Sequence, residues 1–163
     1  MNGVYAAIVT HFDSDLEVDH DALAAQVNRL IDGGIHGIVP NGTVGEGGSL
    51  SRDERREVIG TVVAASAGRV PVCVGVSAST PEQASEYARD AKAAGADGVM
   101  TLPPLLYRAD RIELLEFFAA VAHAARPTQA NVAPIGLRAG TPNSRASRSV
   151  HTAYIPSGNT APQ

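Results

Sequence analysis

A glycine-rich segment, Pro-Asn-Gly-Thr-Val-Gly-Glu-Gly-Gly-Ser-Leu at residues 40–50, is the part of the chain best suited to bind a ligand. Glycine lets backbone N–H groups approach a ligand closely, and the segment runs towards a predicted helix N-terminus, where an anion is stabilised. We therefore expect a site for a carboxylate or a phosphate. The glycine spacing matches neither the phosphate loop, because no Gly-Lys-Ser/Thr follows, nor the dinucleotide pattern G-x-G-x-x-G. A loop that uses glycine only for turning would have the same composition.

The other reactive side chains form no cluster along the sequence. His11 could act as a base, but none of its neighbours in the sequence supports that role. Cys73 lies in an apolar run and is expected to be a small, buried hydrophobic residue. The histidines show no metal-ligand spacing and the cysteine stands alone, so we expect no metal and no cofactor.

Four strand–helix units are predicted between residues 1 and 126. The strands are apolar runs at 4–10, 37–40, 70–76 and 98–102, and their starts lie about 30 residues apart, the size of a β-α-β unit. The predicted helix starts are Asp19, the capping box Ser51 to Glu54, Thr80 with Pro81, and Asp110 with Glu113. The fourth helix is expected to bury Leu114, Leu115, Phe118 and Val121.

Apolar strands that alternate with amphipathic helices predict an α/β fold, a parallel sheet covered by helices. An open doubly wound sheet and part of a (β/α)₈ barrel share this pattern. A complete barrel needs about 250 residues, so this chain of 163 residues would supply one half of it. An open sheet would need a fifth strand from residues 127–163, where the candidate at 132–137 is broken by Pro134.

The composition changes after residue 126. All 17 acidic residues and the only lysine, Lys92, precede this point, whereas three arginines and five prolines follow it. We therefore expect residues 1–126 to fold and 127–163 to be a disordered C-terminal tail, or the product of a shifted reading frame. The net charge of −4 gives no basic surface for nucleic acid, and no apolar run reaches the length of a membrane span. We expect a cytoplasmic protein.

Four segments in order carry a resemblance. Gly42-Thr-Val-Gly-Glu46 is preceded by the strand segment Gly3–Phe12, and it is followed by Arg69–Val76 and by Ala94–Pro104. The segment at 42–46 is similar to the Gly-Thr-Thr-Gly-Glu signature of the dihydrodipicolinate synthase and N-acetylneuraminate lyase family. The other three segments resemble the family's first, third and fourth strands, in that order. The resemblance spans residues 3–126 and implies parallel (β/α) repeats that form the N-terminal half of a TIM barrel.

The resemblance also implies a class I aldolase-type lyase or synthase. Such enzymes hold a 2-oxo acid, usually pyruvate, as a Schiff base on a barrel lysine. By similarity, Thr43 is the catalytic hydroxyl that relays protons, and Gly42, Thr43 and Val44 form the loop that receives the carboxylate of the substrate, partly through backbone N–H groups. Val44 stands where the family usually has a second Thr or Ser, so one hydroxyl donor is missing.

Other positions depart from the family. After Pro104 the family often has a tyrosine pair; Leu105 and Leu106 stand there, and Tyr107 is expected to be a surface or rim residue. The Schiff-base lysine belongs to the family's sixth strand, and Lys92, within a predicted helix, cannot replace it. We therefore expect a truncated chain, inactive alone, that self-associates through exposed barrel edges. The alternative is a non-catalytic homologue that binds a carboxylate ligand or a partner chain.

Overall fold

The computed structural model describes residues 3–104, 107–126, 129–132 and 153–154. Leu105 and Leu106 lie outside the described residues, and so does the predicted tail at 127–163 except for residues 129–132 and 153–154. The elements are β1 (Tyr5–Ala7), α1 (His20–Asp32), β2 (Gly37–Val39), α2 (Arg52–Ser66), β3 (Cys73–Gly75), α3 (Pro81–Ala93), β4 (Gly98–Thr101), α4 (Arg111–Ala125), β5 (Gln129–Val132) and β6 (Ala153–Tyr154). The four predicted strand–helix units are therefore confirmed.

Strands β1 to β5 are parallel and follow one another in chain order. β1 pairs with β2, and β3, β4 and β5 pair successively. Two backbone hydrogen bonds join β2 to β3, from Ile38 N–H to the Pro71 carbonyl at 3.0 Å and from Gly75 N–H to the Pro40 carbonyl at 2.9 Å. The short strand β6 pairs antiparallel with β5. Parallel strands in chain order, separated by helices, are the arrangement of a (β/α) barrel.

Strand β5 differs from the expectation that no strand follows residue 126. It lies in register with β4, with Gly98 opposite Gln129 and Thr101 opposite Val132. Four residues between two prolines are too few to show a periodic pattern in the sequence. The strand forms because the edge of β4 offers hydrogen-bonding groups to a parallel strand that follows α4. This edge exists only in the folded protein and cannot be seen in the sequence.

The helix starts are confirmed in detail. The Ser51 hydroxyl accepts a hydrogen bond from the N–H of Glu54, whose carboxylate accepts one from the N–H of Ser51 at 2.6 Å. Asp110 and Glu113 form the same reciprocal pair at the start of α4. Such capping boxes satisfy backbone N–H groups that have no partner within the helix. No helix in the described part of the chain is long and apolar enough to cross a membrane.

Helices α1 and α3 end in the same way. Gly34 and Gly95 both take left-handed backbone conformations, with φ of 86° and 85°. In each case the N–H of the next residue returns to the last turn, from Ile35 to Leu30 at 3.2 Å and from Ala96 to Ala91 at 3.0 Å. Glycine takes this conformation without the steric cost of a Cβ atom. The same left-handed turn therefore precedes β2 and β4.

The core lies between the sheet and the helices. Buried side chains from the strands and their ends pack against buried side chains on the inner faces of the helices. The first group includes Ile8, Ile38, Val74 and Val99, and the second includes Leu23 and Val27 of α1, Val58, Ile59 and Val62 of α2, and Ala84, Ala88 and Ala91 of α3. The prediction for α4 is wrong in part, because the helix buries Phe117, Val121 and Ala125 and leaves Leu115 60% exposed. The sequence of α4 is apolar on most sides, so its contact with α3, and not its periodicity, selects the buried face.

Candidate functional site

A cleft of about 470 Å³ opens at the carboxyl ends of β2, β3 and β4. Its walls are the glycine-rich loop at 41–49, the segment 77–79 after β3, the side chains of Gln83 and Tyr87 on α3, and residues 102–104 after β4. In parallel α/β folds, ligands bind at this end of the sheet, where the strand-to-helix loops converge. The cleft is therefore the candidate functional site.

A second depression, of about 560 Å³, lies on the outer helix layer between α2 and α3. It is more open than the cleft, and its lining side chains include Asp53 and Arg56, which pair with each other at 3.6 Å. Asp90, at its edge, binds Arg52 at 2.7 Å. Its lining residues all belong to α2, α3 or the end of α3, so no strand end reaches this depression, and three of its four charged side chains are already in ion pairs: Asp53, Arg56 and Asp90. We therefore assign the site to the strand-end cleft, although it is the smaller of the two.

The glycine-rich loop is held by side chains and backbone from other elements. In the segment that follows β1, the buried Thr10 hydroxyl donates to the carbonyl of Gly45 at 2.7 Å. A Cβ atom at Gly45 would lie 2.8 Å from the carbonyl of Ile8, so the close packing of loop on strand requires glycine there. Within the loop, Gly47 N–H donates to the Gly42 carbonyl at 3.1 Å. The glycines thus serve close approach between backbones as well as turning.

Asn41 sits where β2 passes into the loop. It is 4% exposed and has a φ of 56°, a conformation that asparagine tolerates better than most residues. Its side-chain N–H donates to the carbonyl of Arg55 at 3.0 Å, and its own carbonyl lies where a Cβ at Gly47 or Gly75 would overlap it. The side-chain Oδ1 of Asn41 is buried and has no hydrogen-bond partner among the described residues.

Arg55 is the functional candidate that sequence reasoning missed. Its side chain is 2% exposed, and its guanidinium donates to the carbonyls of Gly47 and Gly75. The ring of Tyr87 covers the guanidinium, with 4.0 Å between Cζ and the ring centroid. Burial is the main cause that lowers the pKa of Arg55, and it outweighs the opposing effects of Tyr87 and Asp90. The sequence places this residue among charged neighbours on a helix, which is typical of a solvated face.

The structure brings two of the three predicted loop residues to the cleft. Gly42 and Thr43 line it, and the exposed Thr43 hydroxyl makes no hydrogen bond to the described residues. Val44 is 54% exposed and is not part of the cleft wall. Thr43 can therefore offer its hydroxyl to a ligand in the cleft, whereas Val44 is exposed outside the cleft wall.

The other reactive side chains considered from the sequence are not part of the cleft wall. Lys92 is exposed in the last turn of α3, where its Nζ donates to the carbonyl of Arg126, and Cys73 is 5% exposed in β3. Tyr107 is 54% exposed, as expected for a surface or rim residue. The Nε2 atom of His11 is buried without a hydrogen-bond partner among the described residues. Across the same residues, no group of three or more His, Cys, Asp or Glu side chains could hold a metal ion.

Parallel β-α repeats whose strand-end loops surround a cleft define a protein of the (β/α)-barrel class. Within that class, the chain belongs to the dihydrodipicolinate synthetase family, whose model matches residues 1–131. The match continues into β5, five residues past the predicted end of the folded unit. The match confirms the family resemblance that Gly42-Thr-Val-Gly-Glu46 indicated.

Individual relatives agree with this assignment. A 4-hydroxy-tetrahydrodipicolinate synthase of Methanosphaerula palustris is 40% identical over 122 residues, which are 74% of this chain and 42% of that protein. A crystal structure of dihydrodipicolinate synthase has a TM-score of 0.77 and 36% identity, over 82% of this chain and 45% of the other. A prophage protein of the same family from E. coli K12, solved in complex with pyruvate, has a TM-score of 0.75 and 26% identity, over 81% of this chain and 43% of that protein.

The extent of these matches defines what part of the fold is present. The chain spans less than half the length of each relative compared. Its strands superpose on the first part of proteins that form complete barrels, so the predicted fold, the N-terminal half of a TIM barrel, is confirmed.

Proposed function

We propose that this chain forms the carboxylate-binding part of a Schiff-base lyase or synthase that acts on a 2-oxo acid such as pyruvate. The observation that carries the proposal is the glycine-rich loop at the strand ends, which Thr10 holds in place and whose residues Gly42 and Thr43 line the cleft. Membership of the dihydrodipicolinate synthetase family supports the reaction class, and the pyruvate complex of the E. coli K12 relative supports the substrate class.

In this proposal the loop does two things. The N–H groups around Gly42 receive the substrate carboxylate, since backbone donors in a glycine-rich turn can approach an anion closely. Thr43 supplies the hydroxyl that relays protons to and from the reacting carbon and the imine. Val44 contributes its backbone only, because its side chain lies outside the cleft wall.

We further propose that the chain alone does not form the imine. A Schiff base needs an amine at the site, and the sequence contains one lysine, Lys92. That residue lies on the outer helix layer, bound to the carbonyl of Arg126. The amine would come from outside these residues. The alternative, a non-catalytic homologue that binds a carboxylate ligand, shares the same loop and the same lack of an amine.

Borohydride reduction in the presence of pyruvate tests the imine step. We expect no covalent adduct by mass spectrometry, together with pyruvate-dependent shifts of the backbone amide resonances of Gly42 and Gly47. A reduced adduct that persists in a Lys92→Arg control would contradict the proposal, because it would place an imine-forming amine elsewhere. Absence of any pyruvate-dependent shift would remove the 2-oxo acid from the proposal.

We also propose self-association through an exposed barrel edge in the cytoplasm. The location rests on the sequence, whose one cysteine allows no disulfide within the chain. β1 pairs with β2 on one side, and no described strand pairs with its other side. Just beyond this strand, Val9 is 40% exposed. An unpaired strand edge with apolar neighbours is a template for association.

Light scattering coupled to size-exclusion chromatography tests the association. We expect the chain to elute as an oligomer and Val9→Lys to shift it towards the monomer. The matched control is Leu115→Lys, which places the same charge at another exposed apolar position, on α4 and away from the β1 edge. A compact wild-type monomer with a sharp melting transition would rule the association out.

A further inference from the structure

The guanidinium of Arg55 connects two walls of the cleft, the glycine-rich loop and α3, to strand β3. Its two Nη atoms donate to the carbonyl of Gly47 in the glycine-rich loop and to that of Gly75, at 2.6 Å, in β3. Tyr87 of α3, which lines the cleft, covers the guanidinium on its face. The side chain itself does not line the cleft. Arg55 therefore lies directly behind the surface that a ligand would touch.

In the described part of the chain, no carboxylate forms an ion pair with Arg55. The ion pairs among the described residues involve Arg52, Arg56 and Arg69, and none includes Arg55. Its Nε atom is buried and has no hydrogen-bond partner there either. A buried cation is costly unless a negative charge and hydrogen bonds compensate it. Two carbonyls and a tyrosine ring compensate it only in part, so an anion bound in front of the loop would gain from the remaining charge.

The contacts of Arg55 also set the shape of the loop. The two glycines whose carbonyls it binds are those that pack against the carbonyl of Asn41, where a Cβ on either would overlap. Asn41 in turn donates from its side chain to the Arg55 carbonyl at 3.0 Å. The loop and the strand end are thus fixed around one charged side chain.

We propose that Arg55 is a positioning residue which, acting through Gly47, makes the glycine-rich loop prefer an anionic ligand to a neutral one of the same shape. The inference deepens the proposed function and rests on it for the choice of pyruvate as the first probe. In a partly buried environment, the attraction between unit charges less than about 10 Å apart corresponds to about tenfold or more in affinity. A neutral amide of the same size gains none of it.

The test measures dissociation constants of pyruvate and of its neutral amide by titrating the ¹⁵N-labelled full chain and following the Gly42 and Gly47 amide resonances. We expect pyruvate to bind at least about tenfold more tightly than the amide. Arg55→Met should remove this preference. Arg52→Met is the matched control: it removes the same charge from the same helix, at a side chain that is 47% exposed, and should keep the preference.

Each outcome decides the proposal. A folded Arg55→Met variant that still prefers pyruvate over the amide overturns it. If that variant does not fold, Arg55→Lys decides, because it keeps the charge and loses the fork of donors. Lysine should retain the preference with weaker binding of both probes, and a folded lysine variant without the preference overturns the proposal.

Further probes separate this inference from the proposed function. Acetate and its neutral counterpart acetamide are titrated in the same way and their dissociation constants are compared. Inorganic phosphate is titrated as a third anion. If the wild-type chain binds acetate or phosphate but does not bind pyruvate, the 2-oxo acid proposal is wrong. The role of Arg55 would then still be tested by comparing acetate with acetamide in wild type and Arg55→Met. A wild-type chain that binds none of the anions overturns both.

Discussion

The Thr10 hydroxyl, three residues after β1, donates to the carbonyl of Gly45, 35 positions away, at 2.7 Å. Through this bond the first strand of the sheet holds the loop that follows the second. Both groups are buried, so neither can exchange the bond for one to water at low cost. The shape of the candidate site therefore depends on a contact between two separate β-α units.

Replacement of Thr10 by valine should destabilise the protein by about 1–3 kcal/mol, because it leaves the buried Gly45 carbonyl without a donor while preserving side-chain shape. Urea denaturation measures the change in the free energy of unfolding. Thr61→Val is the control, since the Thr61 hydroxyl bonds to the exposed His20 ring and water can replace it. It should cost less than about 0.5 kcal/mol. Equal effects of the two substitutions would contradict the assigned role of Thr10.

A methyl group at Gly47 should be far more damaging than one at its neighbour Gly48. A Cβ at Gly47 would overlap the carbonyl of Asn41 and crowd the guanidinium of Arg55, whereas a Cβ at Gly48 would meet no atom within 4 Å. We expect Gly47→Ala to cost about 1–3 kcal/mol and Gly48→Ala to stay within about 0.5 kcal/mol of wild type. Thermal or urea unfolding of the pair provides the measurement. Tolerance of both substitutions would show that the loop is not packed as described.

The capping box of α2 should make stability depend on pH. Hydrogen bonds from the hydroxyl and backbone N–H of Ser51 lower the pKa of Glu54 below its usual range. Because the folded-state pKa lies below the unfolded-state pKa, this stabilisation is complete above the unfolded-state value. It is lost as the pH falls through the folded-state value.

Urea denaturation between neutral pH and about pH 3, on wild type and Glu54→Gln, isolates this contribution of the cap. We expect the stability difference between the two proteins to shrink as the pH is lowered. Glu57→Gln removes an equivalent charge from an exposed position on the same helix and should leave the acid-side slope as in wild type. A Glu54→Gln curve parallel to wild type over the whole range would argue against the assigned cap.

The two adjacent loop side chains should differ in their effect on carboxylate binding. Thr43 lines the cleft and its hydroxyl bonds to no other described residue, whereas Val44 lies outside the cleft wall. Under the proposed function, Thr43→Val should weaken pyruvate binding by about five- to tenfold, the equivalent of one hydrogen bond. Val44→Thr should change it by less than about twofold, since a hydroxyl there gains no ligand contact. Titration monitored by amide chemical shifts compares them, and a large gain from Val44→Thr would show that position 44 does face the ligand.

Local signals in the sequence were sufficient for the helices and for part of the site. Caps act within about four residues, so Ser51 with Glu54 and Asp110 with Glu113 marked the starts of α2 and α4 without knowledge of the rest of the molecule. The glycine-rich loop was likewise recognisable from Gly42 and its neighbours, because glycine spacing is a property of a single segment.

Contacts between distant segments decided the rest. The buried face of α4, the pairing of β5 with β4, the exposure of Val44 and the burial of Arg55 behind the loop all depend on which surfaces meet after folding. An arginine on a helix has the same sequence pattern whether it faces water or the carbonyls of Gly47 and Gly75. The sequence thus determined the repeats, the helix caps and the position of the glycine-rich loop, each of which is encoded within a few neighbouring residues. Only the tertiary structure placed a cation behind that loop, because desolvation and packing act between residues far apart in the chain.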